Sequence, residues 1–335
     1  MILRGDFLFM IIVFRILTFP FFILYKLITK IRFFYIKKYR PIEIKNQYII
    51  GIGNISLGGT GKTPSEIFLL SLLKGKANIV LRGYKRKTNI DILGFGKNLV
   101  NKYSVEDIGD EPYMIMKNFP DTYFIITNQK EKALLKYNDL PYFFTIIDDA
   151  FHKFKIKQNL KICVIDAINP FDNFYTIPWG RLRHDVRELE LADIFWISRA
   201  NYVSNQKLHE IRDYLLKFNK KIIVTNFEID CLVNNNSERL DFLNLKNKRI
   251  FAFSGIGNFE SFKINFKLIL KFNEIEFLKF RDHYNYSYKD FHMLSKISKK
   301  FDIIITTEKD FYKIIKYGQI EKLFYFKMNT FLTHL

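Results

Sequence analysis

The run NISLGGTGKTP, residues 54–64, decides how this chain is read. It follows an apolar stretch at 48–52 that reads as a strand, and it opens a segment at 64–73 whose apolar Ile67, Leu70 and Leu73 recur at helical spacing. A glycine-rich turn between a strand and a helix, closed by Lys-Thr, is the sequence form of a phosphate-binding loop. Gly58, Gly59 and Gly61 let successive backbone N–H groups curl around an anion, and the helix start adds the positive end of its dipole. Ser56 stands where the strict pattern has glycine, so the nucleotide-binding set is Ser56, Gly58, Gly59, Thr60, Gly61, Lys62 and Thr63. In such a loop Lys62 bridges the β- and γ-phosphates of ATP and the Thr63 hydroxyl holds Mg²⁺. Pro64 suits the first turn, where no N–H is needed.

Working outward, short apolar runs at 78–81, 123–127, 144–147 and 162–165 alternate with helical patterns at 111–117 and 129–137. A second set has strands at 194–198, 222–225, 250–253, 276–280 and 303–306, with helices at 205–217, 259–270 and 288–300. Continuous apolar strands between helices mean parallel sheets covered on both faces. The expected fold is α/β and P-loop NTPase-like, with two three-layer α/β/α domains and an N-terminal membrane-associated helix. The proline-bearing stretch 169–178 is the expected boundary. It divides the chain into 1–40 (interfacial helix), 41–172 (nucleotide-binding domain) and 173–335 (a second α/β domain closing the active-site cleft). The tetrapeptide GIGN occurs at 51–54 and 255–258, a weak sign of repetition.

The strand at 144–147 ends in Asp148-Asp149. Beside a phosphate loop, a strand that delivers carboxylates reads as a Walker B element, so Asp148 and Asp149 are metal candidates together with Thr63. A cap or turn would use the same pair. These features imply NTP binding and do not separate a kinase from a GTPase or transport ATPase.

The chain has 335 residues, 48% hydrophobic and 26% charged, the composition of a folded protein. Its net charge of +19 favours anionic partners or is simply a solvated lysine-rich surface. Cys163 and Cys231 form no CxxC pair, and the six histidines show no zinc spacing. Residues 7–25 are almost wholly apolar and aromatic. Arg15, worth about 2.5–3.5 kcal/mol against insertion at a span's centre, and Pro20, a helix breaker, oppose a transmembrane span. Arg4, Arg15, Lys26, Lys30 and Arg32 suit an interfacial helix that meets lipid phosphates, with a single span or an ordinary buried core helix as the alternatives.

The motif order adds a resemblance. GGTGKTP within 54–64, LRGYKRK (81–87), VEDIGDEP (105–112), DDAFHK (148–153), IPWGRLR (177–183), FSGIGN (253–258), DH (282–283) and TTEKD (306–310) resemble, in order, motifs of the tetraacyldisaccharide 4'-kinases. The chain departs from that pattern at Leu81, Ala150, Lys153, Trp179, Arg181 and Tyr284. The resemblance implies transfer of the γ-phosphate of ATP, with Mg²⁺, to the 4'-hydroxyl of a tetraacyldisaccharide 1-phosphate in lipid A biosynthesis. It implies a glycolipid substrate at the cytoplasmic face of the bacterial inner membrane; the net charge suits an anionic membrane surface, and with no zinc-knuckle or RRM-type signature no nucleic acid partner is expected. It also implies that Asp110 is the base on the sugar hydroxyl, working with His283 across a closing cleft, with Lys62 the third catalytic group. Asp110 alone would serve equally as a helix N-cap, and His283 as a loop histidine. Glu111 is a further metal candidate, and Arg82, Arg181 and Arg183 are candidates for phosphate contacts. The competing readings are a membrane-associated P-loop ATPase or GTPase with no phosphorylated lipid, and a basic nucleic-acid-binding module.

Overall fold

The computed structural model describes residues 2–171, 174–257, 259, 262–263, 266 and 274–333. In chain order the elements are α1 (Ile2–Lys38), β1 (Tyr48–Gly53), α2 (Lys62–Leu72), β2 (Asn78–Leu81), β3 (Ile92–Phe95), α3 (Gly96–Lys102), α4 (Val105–Ile108), α5 (Asp110–Asn118), β4 (Tyr123–Ile126), α6 (Lys130–Lys136), β5 (Phe144–Ile147) and β6 (Leu160–Asp166). They continue with β7 (Ile194–Ser198), α7 (Asn205–Leu216), β8 (Lys221–Asn234), β9 (Arg239–Leu240), β10 (Ile250–Ser254), β11 (Ile275–Lys279), α8 (Tyr288–Ser298), β12 (Ile303–Thr307), α9 (Glu308–Ile314) and β13 (Leu323–Leu332).

These elements form two compact units, neither of them a consecutive stretch. The first takes residues 1–81, 129–227 and the chain's last residues from 331; the second takes 82–128 and 228–330. The expected boundary at 172/173 is therefore wrong. β7 and β8 lie in parallel register with the strands before them, Ile162 opposite Ile194 and Ile194 opposite Lys221, so these two strands extend the first sheet. The segment 82–128, assigned from sequence to the first domain, belongs to the second unit.

In the first unit β8, β7, β6, β1, β5 and β2 pair side by side, every pair parallel. Side-chain alternation along β7 shows why both faces are covered. Phe195 and Ile197 join the cluster that includes Leu208, Ile211 and Leu215 of α7, while Trp196 points the other way onto Phe68 of α2. Because β1 pairs directly with β5, the loops leaving their carboxyl ends emerge side by side.

Helix α1 also belongs to this unit and runs unbroken through Pro20, contrary to the interruption expected there. One face packs on the body: Phe22 stacks on Trp179 at 4.0 Å, and Phe33 and Ile36 are buried. The Tyr25 hydroxyl donates to the Arg183 carbonyl at 2.8 Å. Arg32 donates to both oxygens of the fully buried Glu188, at 2.8 and 3.1 Å, and to Nδ1 of His184 at 2.9 Å. The opposite face leaves Phe14, Leu17, Phe21, Leu24, Ile28 and Ile31 exposed.

The second unit carries the parallel set β11, β10, β12, β13 and the antiparallel pair β3–β4. Phe251 and Phe253 of β10 face Leu294 of α8 and Phe311 of α9. Ile250 and Ala252 face Phe259, Phe262 and Phe266. Those three phenylalanines lie in the helix expected at 259–270; its other residues, apart from Lys263, and Asn258 of the second GIGN lie outside the described residues. α9 packs against α5, which brings the two sequence segments of this unit together.

Candidate active site

The phosphate loop is held from several directions within the first unit. Gly58 and Gly61 have φ of +98° and +87°, values that only glycine adopts without strain. Asn54, 1% exposed, donates from one amide nitrogen to the Ser56 carbonyl at 2.7 Å and the Thr60 hydroxyl at 2.9 Å, which curls the loop. Its carbonyl oxygen accepts from Lys62 Nζ at 3.1 Å and from Arg183. Ser56 and Thr60 are buried, and Thr63 lies in the first turn of α2.

At the end of β5, Asp149 receives two hydrogen bonds from Arg183, 2.8 and 3.1 Å, and lies 3.5 Å from Lys62. Burial works to raise its pKa. The Arg183 hydrogen bonds and the Lys62 charge outweigh burial and hold the carboxyl far below the ordinary carboxylate range. Asp148 pairs with Lys130 at 3.2 Å; burial works to raise its pKa, and the charges of Lys130 and Lys62 with a hydrogen bond from Glu66 together lower it. Two anionic carboxylates and the Thr63 hydroxyl are hard oxygen donors of the kind Mg²⁺ takes alongside phosphate oxygens and water. Among the described residues no group of three or more His, Cys, Asp or Glu is placed to hold a metal ion.

The two other candidate arginines, Arg181 of the 177–183 run and Arg82, are differently employed. The backbone of that run zips onto the loop, Leu57 N–H to the Arg181 carbonyl at 2.7 Å and Arg183 N–H to the Ile55 carbonyl at 2.8 Å. The Arg181 guanidinium donates to the Leu57 carbonyl at 2.6 Å and sits where a side chain on Gly58 would collide with it. Arg82 is exposed at the start of the second unit.

The second unit holds the other candidate centre. Asp110 and His283, 173 positions apart, meet with Nδ1 to Oδ2 at 3.0 Å. The sequence placed them in different domains needing closure; both belong to one unit and are already joined. Asp110 begins α5, and its other oxygen accepts the Glu111 N–H at 2.9 Å. One carboxylate therefore accepts an amide of the helix's first turn and binds the imidazole. Burial pushes the Asp110 pKa up, but the His283 hydrogen bond and the charges of Lys309 and Lys313 prevail and hold it well below the ordinary range. An ionised Asp110 only accepts, so His283 Nδ1 carries the proton of this bond. Tyr84 stands edge-on to the imidazole at 5.1 Å.

Behind the pair lies a relay that the sequence reading missed. Lys313, with a side chain 7% exposed, is 3.6 Å from Asp110 and 3.4 Å from Asp310. Fully buried Asp310 accepts from the Ser254 hydroxyl, the Gly255 N–H and the Thr307 hydroxyl, at 3.1, 2.9 and 2.8 Å. The i, i+3 spacing from Asp310 to Lys313 on a short helix was the available signal. Glu111, a metal candidate from sequence, is ion-paired with Lys309 in this unit.

A parallel sheet with a glycine-lined loop after one strand, carboxylates at the end of its neighbour, and a carboxylate–imidazole pair define a P-loop phosphotransferase. A family model described as Tetraacyldisaccharide-1-P 4'-kinase matches residues 14–334, and the chain belongs to that family. The Tetraacyldisaccharide 4'-kinase of Halothermothrix orenii is 32% identical over 294 residues, 81% of this chain and 75% of the relative. That of Flavobacterium johnsoniae is 30% identical over 331 residues, 96% of this chain and 94% of the relative. A solved structure described as the "apo" form of LpxK from Aquifex aeolicus in complex with ATP superposes with a TM-score of 0.75 at 28% identity, covering 96% of both chains. The chain is accordingly an ATP-dependent kinase of lipid A biosynthesis.

Proposed function

We propose that this chain moves the γ-phosphate of ATP to the 4'-hydroxyl of a tetraacyldisaccharide 1-phosphate through the residues assembled above. Lys62 and the amides of the 56–61 loop hold the β- and γ-phosphates. Thr63 with Asp148 and Asp149 would hold Mg²⁺, which neutralises charge building on the transferring phosphoryl group. Arg183 keeps Asp149 ionised and Asn54 in place. Asp110 takes the proton of the sugar hydroxyl while His283 fixes its orientation. A carboxylate of low pKa suffices, because the alcohol's proton leaves late in a loose phosphoryl-transfer transition state. Arg82 is proposed to meet the acceptor's phosphate.

The membrane is the proposed place of work, at the face where cytoplasmic ATP is available. α1 packs one side on its unit from Thr18 to Lys37 and leaves its other side apolar, the form of a helix lying in the interface and not crossing it. Arg15 does not face lipid bare: its guanidinium lies 5.3 Å from the ring centre of Tyr175 and 5.7 Å from that of Trp179.

The 3.0 Å pair of Asp110 with His283 is the observation that carries the kinase mechanism. The test is a product assay by mass with ATP, Mg²⁺ and the disaccharide lipid. The expected product gains one phosphate, on the 4' position; release of free phosphate with unchanged lipid would defeat the proposal and favour an ATPase.

A further inference from the structure

Ser198 and Arg199, at the carboxyl end of β7, belong to none of the sequence motifs of the site, yet both bind the phosphate loop. The Ser198 hydroxyl donates to the Thr60 carbonyl at 2.8 Å, and Arg199 Nη2 donates to the Gly59 carbonyl at 2.8 Å. Arg199 is only 16% exposed and is ion-paired with Asp166 at the end of β6, whose other oxygen accepts the Ile168 N–H at 3.1 Å. Its backbone has φ +60°, a left-handed turn that an arginine adopts at a cost and that here directs the chain out of the strand. The fit is tight: a Cβ on Gly61 would lie 2.7 Å from the Ser198 hydroxyl oxygen.

A planar trans peptide points its C=O and its N–H in opposite directions. Turning the Gly59 and Thr60 carbonyls onto β7 therefore turns the amides of Thr60 and Gly61 away from it. Arg181, through the Leu57 carbonyl, does the same for the amide of Gly58. Left alone, a glycine-rich loop samples many peptide orientations, and fixing them costs about 1–2 kcal/mol per residue at the moment of binding. Side chains that fix the carbonyls beforehand remove part of that cost from nucleotide binding.

We propose that Arg199, oriented by Asp166, is a positioning residue for ATP: it grips the Gly59 carbonyl so that the loop amides face the phosphates before the nucleotide arrives. This rests on the reading of 56–63 as the ATP-phosphate site. It gives the strand beside β6 a task in the reaction, with no contact to the sugar acceptor required.

The experiment compares Arg199→Ala, Arg199→Lys and Ser198→Ala with the wild-type full chain. It measures calorimetric affinity for ATP and for AMP, KM for ATP and for the lipid, and the melting temperature. Arg199→Ala is expected to weaken ATP binding and raise KM for ATP about tenfold, the effect of one charge-assisted hydrogen bond, with AMP affinity and lipid KM unchanged and a lowered melting temperature because Asp166 loses its partner. Arg199→Lys should recover most of the loss, because an ammonium also donates to a carbonyl. Ser198→Ala should show the same selective loss, smaller in size. Unchanged ATP affinity in an Arg199→Ala variant that is folded at the assay temperature overturns the proposal. Equal losses for ATP and AMP also overturn it, since they mark a general disturbance of the unit. If Arg199→Ala does not fold, the lysine and Ser198 variants decide by the same comparison. Wild-type protein that binds ATP yet makes no phosphorylated lipid refutes the lipid-kinase reading and leaves the Arg199 test standing.

Discussion

At the scale of single residues, Asp110 carries the most consequence. Its two oxygens are divided, one accepting the Glu111 amide at 2.9 Å and the other the His283 ring at 3.0 Å. Asp110→Asn keeps an acceptor for the helix start, so the fold survives, but its amide N–H₂ then opposes the donors of His283 and Lys313. Transfer is expected to fall about 10²–10⁴-fold with ATP affinity retained. The pH behaviour follows from the sign of the shift. The folded-state pKa of Asp110 lies below its unfolded value, so the group stays ionised at working pH. Its contribution to stability is present above the unfolded pKa and is lost only as acid carries the pH down through the folded value. The ratio of wild-type to Asp110→Asn rates should therefore be flat from about pH 6 to 9. A ratio that shrinks toward one at the acid end of that range would show Asp110 titrating there and remove it as a standing base.

At the scale of elements, the attachment of α1 rests on a buried charge. Burial pushes Glu188 up to about 7 against the lowering effect of Arg32, so this carboxylate depends on the guanidinium beside it. Burial also lowers His184 to about 3 and His152 to about 4, which keeps both rings neutral and leaves His184 Nδ1 able to accept from Arg32. Arg32→Ala is expected to destabilise the protein by about 3–5 kcal/mol, since Glu188 is left buried without its partner. Arg32→Ala combined with Glu188→Gln should regain most of that in denaturant unfolding. If the double variant is no better than the single one, the ion pair is not what fastens the helix. The strands were legible in the sequence because a parallel sheet buried on both faces writes continuous apolar runs, as at 144–147 and 162–165. The phosphate loop was legible because its glycines and Lys-Thr are local. The unit boundary was not, because 169–178 falls within one unit, and strand pairing across it leaves no local mark. The same holds for Arg183 on Asp149, Lys313 on Asp110 and the proximity of Asp110 to His283, which the family resemblance supplied and the residues alone did not.

At the scale of the whole molecule, two properties bear on the membrane, and they differ in their response to salt. The net charge of +19 attracts an anionic surface through long-range forces that ions screen, with a Debye length of about 10 Å at 0.1 M and 3 Å at 1 M. The exposed face of α1, with Leu17, Phe21, Leu24 and Ile28, acts by removal of apolar area from water, which added salt does not weaken. Vesicles of neutral and of anionic lipid separate the two contributions. The full chain should sediment with both kinds of vesicle, more completely with the anionic kind, and a fraction should stay bound at 1 M salt. Removing residues 1–30 leaves the Arg32–Glu188 pair in place and takes away most of the apolar face. The shortened protein should then bind only anionic vesicles and should leave them as salt rises. Retention of the shortened protein on neutral vesicles would move the membrane contact away from α1 to another surface. Complete release of the full chain at 1 M salt would reduce the association to charge alone, and the apolar face of α1 would need a different partner.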